Sequence, residues 1–272
     1  MDKKRVCAAF FSPCGSAKKI AECIAGGLAS ELGLPLEVFD FTLPQNRENE
    51  LSFSAEDIVV ICTPVYAGRV PNKIMPYIRD HIHGNNSLCV CAVSYGNRSF
   101  DNALSELVYL MGENGMQVIS AAAVVSEHSF SGELAGGRPN GEDMEQLGSF
   151  SVRTAEKILA GDTGAVSVPG EMPPERYYTP LKEDGTPAKF LKAAPKVDEE
   201  KCIKCGKCAE VCPMGSVSRD DPSEMTGACI KCQACIKACS RGARYFDDAD
   251  FLSHRQMLLN NYTDRKESAF FI

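Results

Sequence analysis

Eight thiols stand between Cys202 and Cys239 in two runs of one spacing. Cys202, Cys205, Cys208 and Cys212 form the first run, and Cys229, Cys232, Cys235 and Cys239 repeat it 27 residues later. What such thiols do depends on the compartment. The opening stretch MDKKRVCAAFFS has an apolar run too short for a signal-peptide core, and nowhere do eighteen apolar residues follow one another. The chain is therefore expected in the cytoplasm, where clustered thiols hold metal rather than form disulfides. Structural zinc also uses sets of four cysteines, commonly as two C-x-x-C knuckles across a longer gap. Three thiols at a spacing of three with a fourth behind them, twice over, is a different pattern.

The first 160 residues alternate short apolar runs with helix-period segments, which reads as a parallel sheet covered by helices. Candidate strands are residues 6–11, 36–41, 58–63, 88–94 and 117–125, and candidate helices are 17–31, 72–83, 100–113 and 142–159. This predicts an α/β fold, a doubly wound five-stranded parallel sheet in the flavodoxin-like order 2-1-3-4-5. Its ligand crevice lies at the carboxyl ends of strands one and three. From Gly161 to Pro195, six prolines (Pro169, Pro173, Pro174, Pro180, Pro187 and Pro195) interrupt any regular element, so the stretch reads as a linker. Tyr177, Tyr178, Phe190 and Leu191 suggest that it lies along a domain. Residues 250–261 are expected to form a closing helix.

The run Cys202-Ile-Lys-Cys205-Gly-Lys-Cys208-Ala-Glu-Val-Cys212-Pro213 resembles the C-x-x-C-x-x-C-x-x-x-C-P signature of bacterial two-cluster ferredoxins, and residues 229–239 repeat it. In that pattern the fourth cysteine of each run ligates the other cluster. The resemblance implies Cys202, Cys205, Cys208 and Cys239 for one [4Fe-4S] cluster, and Cys229, Cys232, Cys235 and Cys212 for the second. Ser240 stands where proline commonly follows the last cysteine, which bears on local backbone rather than on ligation. Ile203 and Ile230, each after the first cysteine of its run, are expected to shield the clusters.

Three loops should leave the carboxyl edge of the sheet. Ser12-Pro13-Cys14-Gly15-Ser16-Ala17-Lys18 opens a helix, where exposed amides and short hydroxyls suit a phosphate. Thr63-Pro64-Val65-Tyr66-Ala67-Gly68 follows the third strand, and Ser94-Tyr95-Gly96-Asn97 follows the fourth. There is no Walker loop and no dinucleotide fingerprint. Together the loops resemble the FMN loops of flavodoxins, with the first on phosphate and the others on ribityl and ring. With no tryptophan in the chain, Tyr66 and Tyr95 are the expected ring-stacking side chains. Cys14 and Ala17 replace hydroxyls common in that family. The helix N-terminus is expected to lower the Cys14 pKa.

Cys7, Cys23, Cys62, Cys89 and Cys91 read as small buried hydrophobes. His81, His83 and His254 read as surface residues, and His128 lies near the flavin edge. The net charge is −7, and residues 196–272 hold twelve Lys/Arg against twelve Asp/Glu, so the acidity resides in the first 195 residues. A basic nucleic-acid surface is not indicated. The whole chain resembles the flavodoxin-plus-ferredoxin fusion proteins, iron–sulfur flavoproteins, of anaerobic bacteria and archaea. That implies a flavodoxin-like domain over residues 1–160, the linker over 161–195, and a small α+β two-cluster ferredoxin domain with a C-terminal helix over 196–272. The expected function is electron transfer between two [4Fe-4S] clusters and FMN. The rival expectations are a flavin oxidoreductase acting on a quinone or nitro compound, and a redox sensor. A redox protein or small acceptor is the expected partner, without nucleic acid or membrane, and homodimerisation is left open.

Overall fold

The computed structural model describes residues 3–272. The sheet is built from β1 (Arg5–Phe10), β2 (Leu36–Asp40), β4 (Asp57–Pro64), β6 (Leu88–Tyr95) and β7 (Gln117–Val125), all parallel, in the order β2-β1-β4-β6-β7. β4, β6 and β7 are almost wholly buried apolar runs, as strands covered on both faces must be. Side chains alternate between two cores. In β1, Val6, Ala8 and Phe10 face α1 (Ser16–Leu32) and α4 (Gly141–Leu159), while Cys7 and Ala9 face α2 (Met75–His81) and α3 (Ala103–Glu113). α1 and α4 approach closely because Gly27 has no side chain; a Cβ there would lie 2.6 Å from that of Ser151. α4 starts at a reciprocal capping box between Asn140 and Asp143.

Two expected helices are shorter in the structure. α2 begins only at Met75, with Pro76 in its first turn, and stops where β5 (Ile82–His83) pairs with β3 (Leu51–Ser52) beyond a 3-10 turn at Pro44–Arg47. α3 begins at Ala103 because Asp101 adopts a left-handed conformation, φ 40°, that a helix cannot contain.

The expected five-stranded sheet has a sixth strand. β10 (Ala269–Phe271), at the far end of the chain, pairs antiparallel with Ala121–Ala123 of β7. It covers an edge that would otherwise stay open. Its alternation places Phe270 in the α1/α4 core, 5.3 Å from the Phe150 ring, and Phe271 in the opposite core. The ferredoxin segment is therefore held at both ends, and residues 262–268 run back over the first domain.

Between these ends lie β8 (Lys196–Val197), α5 (Lys207–Glu210), α6 (Ala234–Lys237), β9 (Arg244–Tyr245) and α7 (Ala249–Asn261). β8 and β9 pair antiparallel, and Val217 bridges Met225 on the other side of the repeat. Phe251, Met257 and Leu258 of α7 are buried, and Met257 and Leu258 pack on Leu134 and Phe130 of the first domain. The stretch 161–195 has only one isolated bridge, Leu181 to Pro187. It follows the surface closely, with Val166 donating to Val118, Tyr178 to Ala67 and Lys189 to Asp250. Among the described residues no helix is long and apolar enough to cross a membrane.

Candidate functional site

The first edge loop is shaped by its own side chains. The Ser12 amide donates to Thr42 Oγ1 at 2.8 Å, and Ser12 Oγ accepts the Lys18 amide at 2.9 Å. Gly15, at φ 92°, turns the chain into α1 without a side-chain cap, so the first-turn amides of Ser16 and Ala17 remain available to an anion. In the second loop, Tyr66 and Arg69 exchange backbone hydrogen bonds of 2.9 and 3.1 Å around left-handed Ala67 and Gly68. Arg69 behind it is ion-paired to buried Glu106, which also accepts the Val70 amide. The third loop crosses the His128 ring, and a Cβ on Gly96 would lie 2.4 Å from His128 Cδ2. Glycine is required there.

These loops border one cavity. Ser12, Cys14, Ser16 and Ala17 line it from the first, Pro64 to Gly68 from the second, and Ser94, Tyr95 and Gly96 from the third. Four expected residues lie off its wall. Gly15 shapes the turn; Lys18 reaches along α1 to Glu22, 3.8 Å away; Thr63 is enclosed in β4; and the Asn97 amide donates to the carbonyls of Tyr262 and Asp264. Tyr95 is buried, its hydroxyl on the Glu267 carbonyl and its ring 5.5 Å from Phe100, so it packs the loop base. Tyr66 stays partly exposed.

The remaining wall lies outside the three loops, and of its residues the sequence alone places only His128 near the flavin edge. Ser126, Glu127 and His128 come from the end of β7, Tyr178, Pro180 and Phe190 from the linker, and His254 and Leu258 from α7. Ser126 Oγ is buried on this wall without a hydrogen-bond partner, a donor left for a bound molecule. His128 Nδ1 accepts the Phe130 amide at 3.1 Å, which leaves the proton of the neutral ring on Nε2. Burial, then the positive charges of His254, Lys237 and Arg98, hold the His128 pKa down at about 4. His254, expected at the surface, is buried with Nδ1 2.8 Å from the Leu181 carbonyl, and burial lowers its pKa also. Cys14 departs from expectation in the same way. Burial outweighs the helix N-terminus and raises its thiol to about 11.

The two thiol loops share one backbone. Lys204 and Lys231 have φ of 52° and 57°, Gly206 and Gln233 of 74° and 67°, and Gly215 and Gly242 both 60°. Each loop enters a one-turn helix, after which Cys212 or Cys239 leaves the turn. A second cavity is lined by Cys212, Cys229, Cys232 and Cys235 and by no other cysteine, with Pro195, Met214, Val217, Ile230 and Phe246 among its apolar walls. Among the described residues no three His, Cys, Asp or Glu side chains stand close enough to share one metal ion. The four thiols border a volume, as ligands to separate irons of one cluster would. Backbone amides of Ser216, Lys231 and Ala243 donate to the sulfurs of Cys212, Cys229 and Cys239 at 3.3, 3.4 and 3.3 Å.

Arg244 supplies a stronger test of fit. It is 4% exposed beside Cys208, Cys229 and Cys235, makes no ion pair among the described residues, and leaves Nε without a partner. A buried guanidinium without a counter-charge is costly, and an anionic thiolate-bound cluster is the charge this site lacks. The thiol set and its surroundings fit iron–sulfur clusters.

The second thiol loop sits against the first domain. The Cys14 thiol donates to the Cys232 carbonyl at 2.8 Å, and Ile230, Lys231 and Cys232 line the cavity of the edge loops. Lys237 pairs with Glu127 at 2.8 Å, and Arg47 donates to the Pro213 carbonyl at 2.6 Å.

Comparison with known proteins agrees with this arrangement. Residues 8–118 match a family described as a flavodoxin domain, and residues 195–218 and 226–242 each match a 4Fe-4S binding domain. No curated protein matches the chain. Among solved structures it is similar to a flavodoxin from the domain Archaea, at 15% identity over 57% of this chain and 99% of that one, with a TM-score of 0.43. It is also similar to the Streptococcus pneumonia TIGR4 flavodoxin, at 22% identity over 57% and 98%, with a TM-score of 0.39. The chain is thus a flavodoxin domain followed by a 4Fe-4S ferredoxin-type domain, a flavodoxin–ferredoxin fusion with FMN and two 4Fe-4S clusters as its cofactors.

Proposed function

We propose that this chain is a cytoplasmic electron-transfer protein in which two 4Fe-4S clusters and FMN form one circuit. The observation that carries the reading is the contact of Cys14 with Cys232, because it joins a loop of the FMN side to a ligand loop. Clusters exchange single electrons and a flavin takes one or two, so the pair divides two-electron chemistry into single steps. Cys212 with Cys229, Cys232 and Cys235 holds one cluster; Cys239 with Cys202, Cys205 and Cys208 holds the other. Ser12, Cys14, Ser16 and Ala17 hold the phosphate end, Pro64 to Gly68 and Ser94 to Gly96 flank the ring, and His128 Nε2 and Ser126 Oγ donate to it.

The test is anaerobic reconstitution with iron, sulfide and flavin analysis, followed by stepwise electron titration. Two clusters' worth of iron and sulfide per FMN are expected. Ser16→Glu, which sets a carboxylate against the phosphate, should release the flavin and keep the iron. Retention of flavin in that variant would move the phosphate elsewhere.

One observation favours a second reading, a flavin oxidoreductase acting on a small quinone or nitro compound. Tyr178, Phe190 and Phe130 add aromatic walls beyond the three flavin loops. Steady turnover of a soluble quinone by the holoprotein, without a protein acceptor, would support it.

A further inference from the structure

The second and third edge loops offer the cavity donors and keep their acceptors occupied. Every backbone carbonyl from Tyr66 to Gly68 and from Ser94 to Gly96 already holds an amide. Tyr66 accepts from Arg69 at 3.1 Å, Ala67 from Tyr178 at 2.9 Å and Gly68 from Asn102 at 3.1 Å; Ser94 accepts from Val65 at 2.8 Å, Tyr95 from Ser126 at 2.9 Å and Gly96 from Arg98 at 2.8 Å. The amides of Ala67, Gly68 and Gly96, on the same turns, make no hydrogen bond among the described residues. Ser126 Oγ and His128 Nε2 add donors on the adjoining wall, and the buried Lys231 ammonium, with no ion pair among the described residues, adds positive charge there. Among the charged and imidazole side chains of that wall, the Glu127 carboxylate is taken by Lys237 and the Gly137 amide. His254, with its Nδ1 proton on the Leu181 carbonyl, keeps an acceptor nitrogen, but on α7 and outside these loops. Five of the six carbonyl partners belong to the flavodoxin domain; the sixth, Tyr178, comes from the proline-rich linker. That contact is fastened on both sides. The Tyr177 hydroxyl donates to the Val70 carbonyl at 3.0 Å, and the two tyrosines lie under Arg69 and Arg98, whose guanidinium carbons are 4.5 and 4.0 Å from the ring centres.

A flavin that takes one electron and one proton becomes a neutral radical, in which a ring nitrogen that accepted hydrogen bonds now carries a hydrogen and needs an acceptor. A second electron without a second proton makes the ring negative, which donors and a nearby cation stabilise. Loops of this polarity hold back the first step and help the second. We infer that FMN in this chain is an electron-pair store. Two electrons, one from each cluster, and one proton from water convert the oxidised ring into the reduced anion, and the neutral radical does not accumulate. Tyr178 is a positioning residue that sets this balance by occupying the Ala67 carbonyl. The inference rests on the placement of the ring beside these loops given under Proposed function. The acceptor that such a store suits takes an electron pair, as a quinone does.

The experiment is an equilibrium titration of the anaerobic holoprotein with a low-potential reductant, with the flavin followed by absorbance and by EPR. The unsubstituted chain should pass from oxidised to fully reduced flavin without the long-wavelength band of the neutral radical. Tyr178→Pro, which deletes the amide and frees the Ala67 carbonyl, should raise the formation constant of that radical about fivefold, the worth of one hydrogen bond. Tyr178→Ala, which removes the aromatic ring and keeps the amide, should behave as the unsubstituted chain does. A radical, neutral or anionic, that accumulates in the unsubstituted chain would overturn the inference. So would an equal rise in the Pro and Ala variants, or no rise in a Tyr178→Pro protein that retains its FMN. If Tyr178→Pro sheds its flavin, the titration of the unsubstituted chain decides alone. The placement of the ring is tested separately. The chain has no tryptophan, so Tyr66→Trp puts a single indole fluorophore on the second loop. Its emission should be quenched in the holoprotein and restored when the flavin alone is stripped. Unquenched emission would overturn the placement; quenched emission with an accumulating radical would overturn the pair store and leave the placement standing.

Discussion

The thiol of Cys14 donates to the carbonyl oxygen of Cys232 at 2.8 Å, across 218 positions of sequence. Cys14 belongs to the turn that opens α1 at the flavin edge, and Cys232 is the central cysteine of the second thiol loop. The contact holds the two cofactor regions in register. Cys14→Ala removes the donor and leaves a half-buried carbonyl unpaired, which costs about 1 kcal/mol. The expected outcome is faster hydrogen exchange at the amides of residues 230–234, while Cys14→Ser, which keeps a donor, stays close to the unsubstituted chain.

The proposed cross-ligation is supported by the cavity that gathers Cys212 with Cys229, Cys232 and Cys235. Cys212→Ser should damage the cluster of the second loop and spare that of the first, and Cys239→Ser should do the reverse. EPR of singly reduced samples distinguishes the two. Loss of the cluster in the same run as the substituted cysteine would contradict the assignment.

How much of this was legible in the sequence depended on whether the signal was local. The five parallel strands were readable because β4, β6 and β7 are unbroken apolar runs between helical segments, and the thiol spacing named its chemistry directly. β10 was not readable. Three residues, Ala269 to Phe271, form a strand only because the alanine-rich edge of β7 accepts them. Tyr178, Phe190 and His254 reach the cavity through tertiary packing of a proline-rich stretch and a helix from the other domain, and no periodicity encodes that. Tyr95 lines the cavity, but the partner of its hydroxyl, the Glu267 carbonyl, belongs to the returning C-terminal segment, which no local pattern reveals. His254 and Cys14 were misjudged because burial, invisible in a sequence, sets their state.

Arg244 is a buried cation that makes no ion pair among the described residues and lies beside cysteines of both runs. Its charge favours the reduced, more negative form of a neighbouring cluster. Replacing it with leucine should lower cluster midpoint potentials by on the order of 100 mV, the effect of a unit charge several ångströms away at an effective dielectric near 20. Spectroelectrochemical titration measures this. Arg244→Lys should recover most of the shift.

His128 gives a dependence on pH whose sign is fixed by its environment. Its pKa in the folded protein is about 4, against an ordinary value of 6.5 in the unfolded chain. Between these values the unfolded state binds the proton more readily, so the contribution is complete above about pH 6.5 and is lost as pH falls toward 4. Thermal midpoints at pH 7.5 and 5 should differ less in His128→Asn than in the unsubstituted chain. His254, displaced in the same direction, leaves a residual slope.

The central claim is that electrons reach FMN through the second thiol loop. The most direct measurement is anaerobic stopped-flow reduction of the holoprotein by a low-potential one-electron donor, with flavin absorbance followed in the unsubstituted chain and in Cys235→Ser with FMN retained. The circuit predicts rapid flavin reduction in the former and a fall of at least tenfold in the latter. Flavin reduction that proceeds at the same rate after loss of that cluster would contradict it.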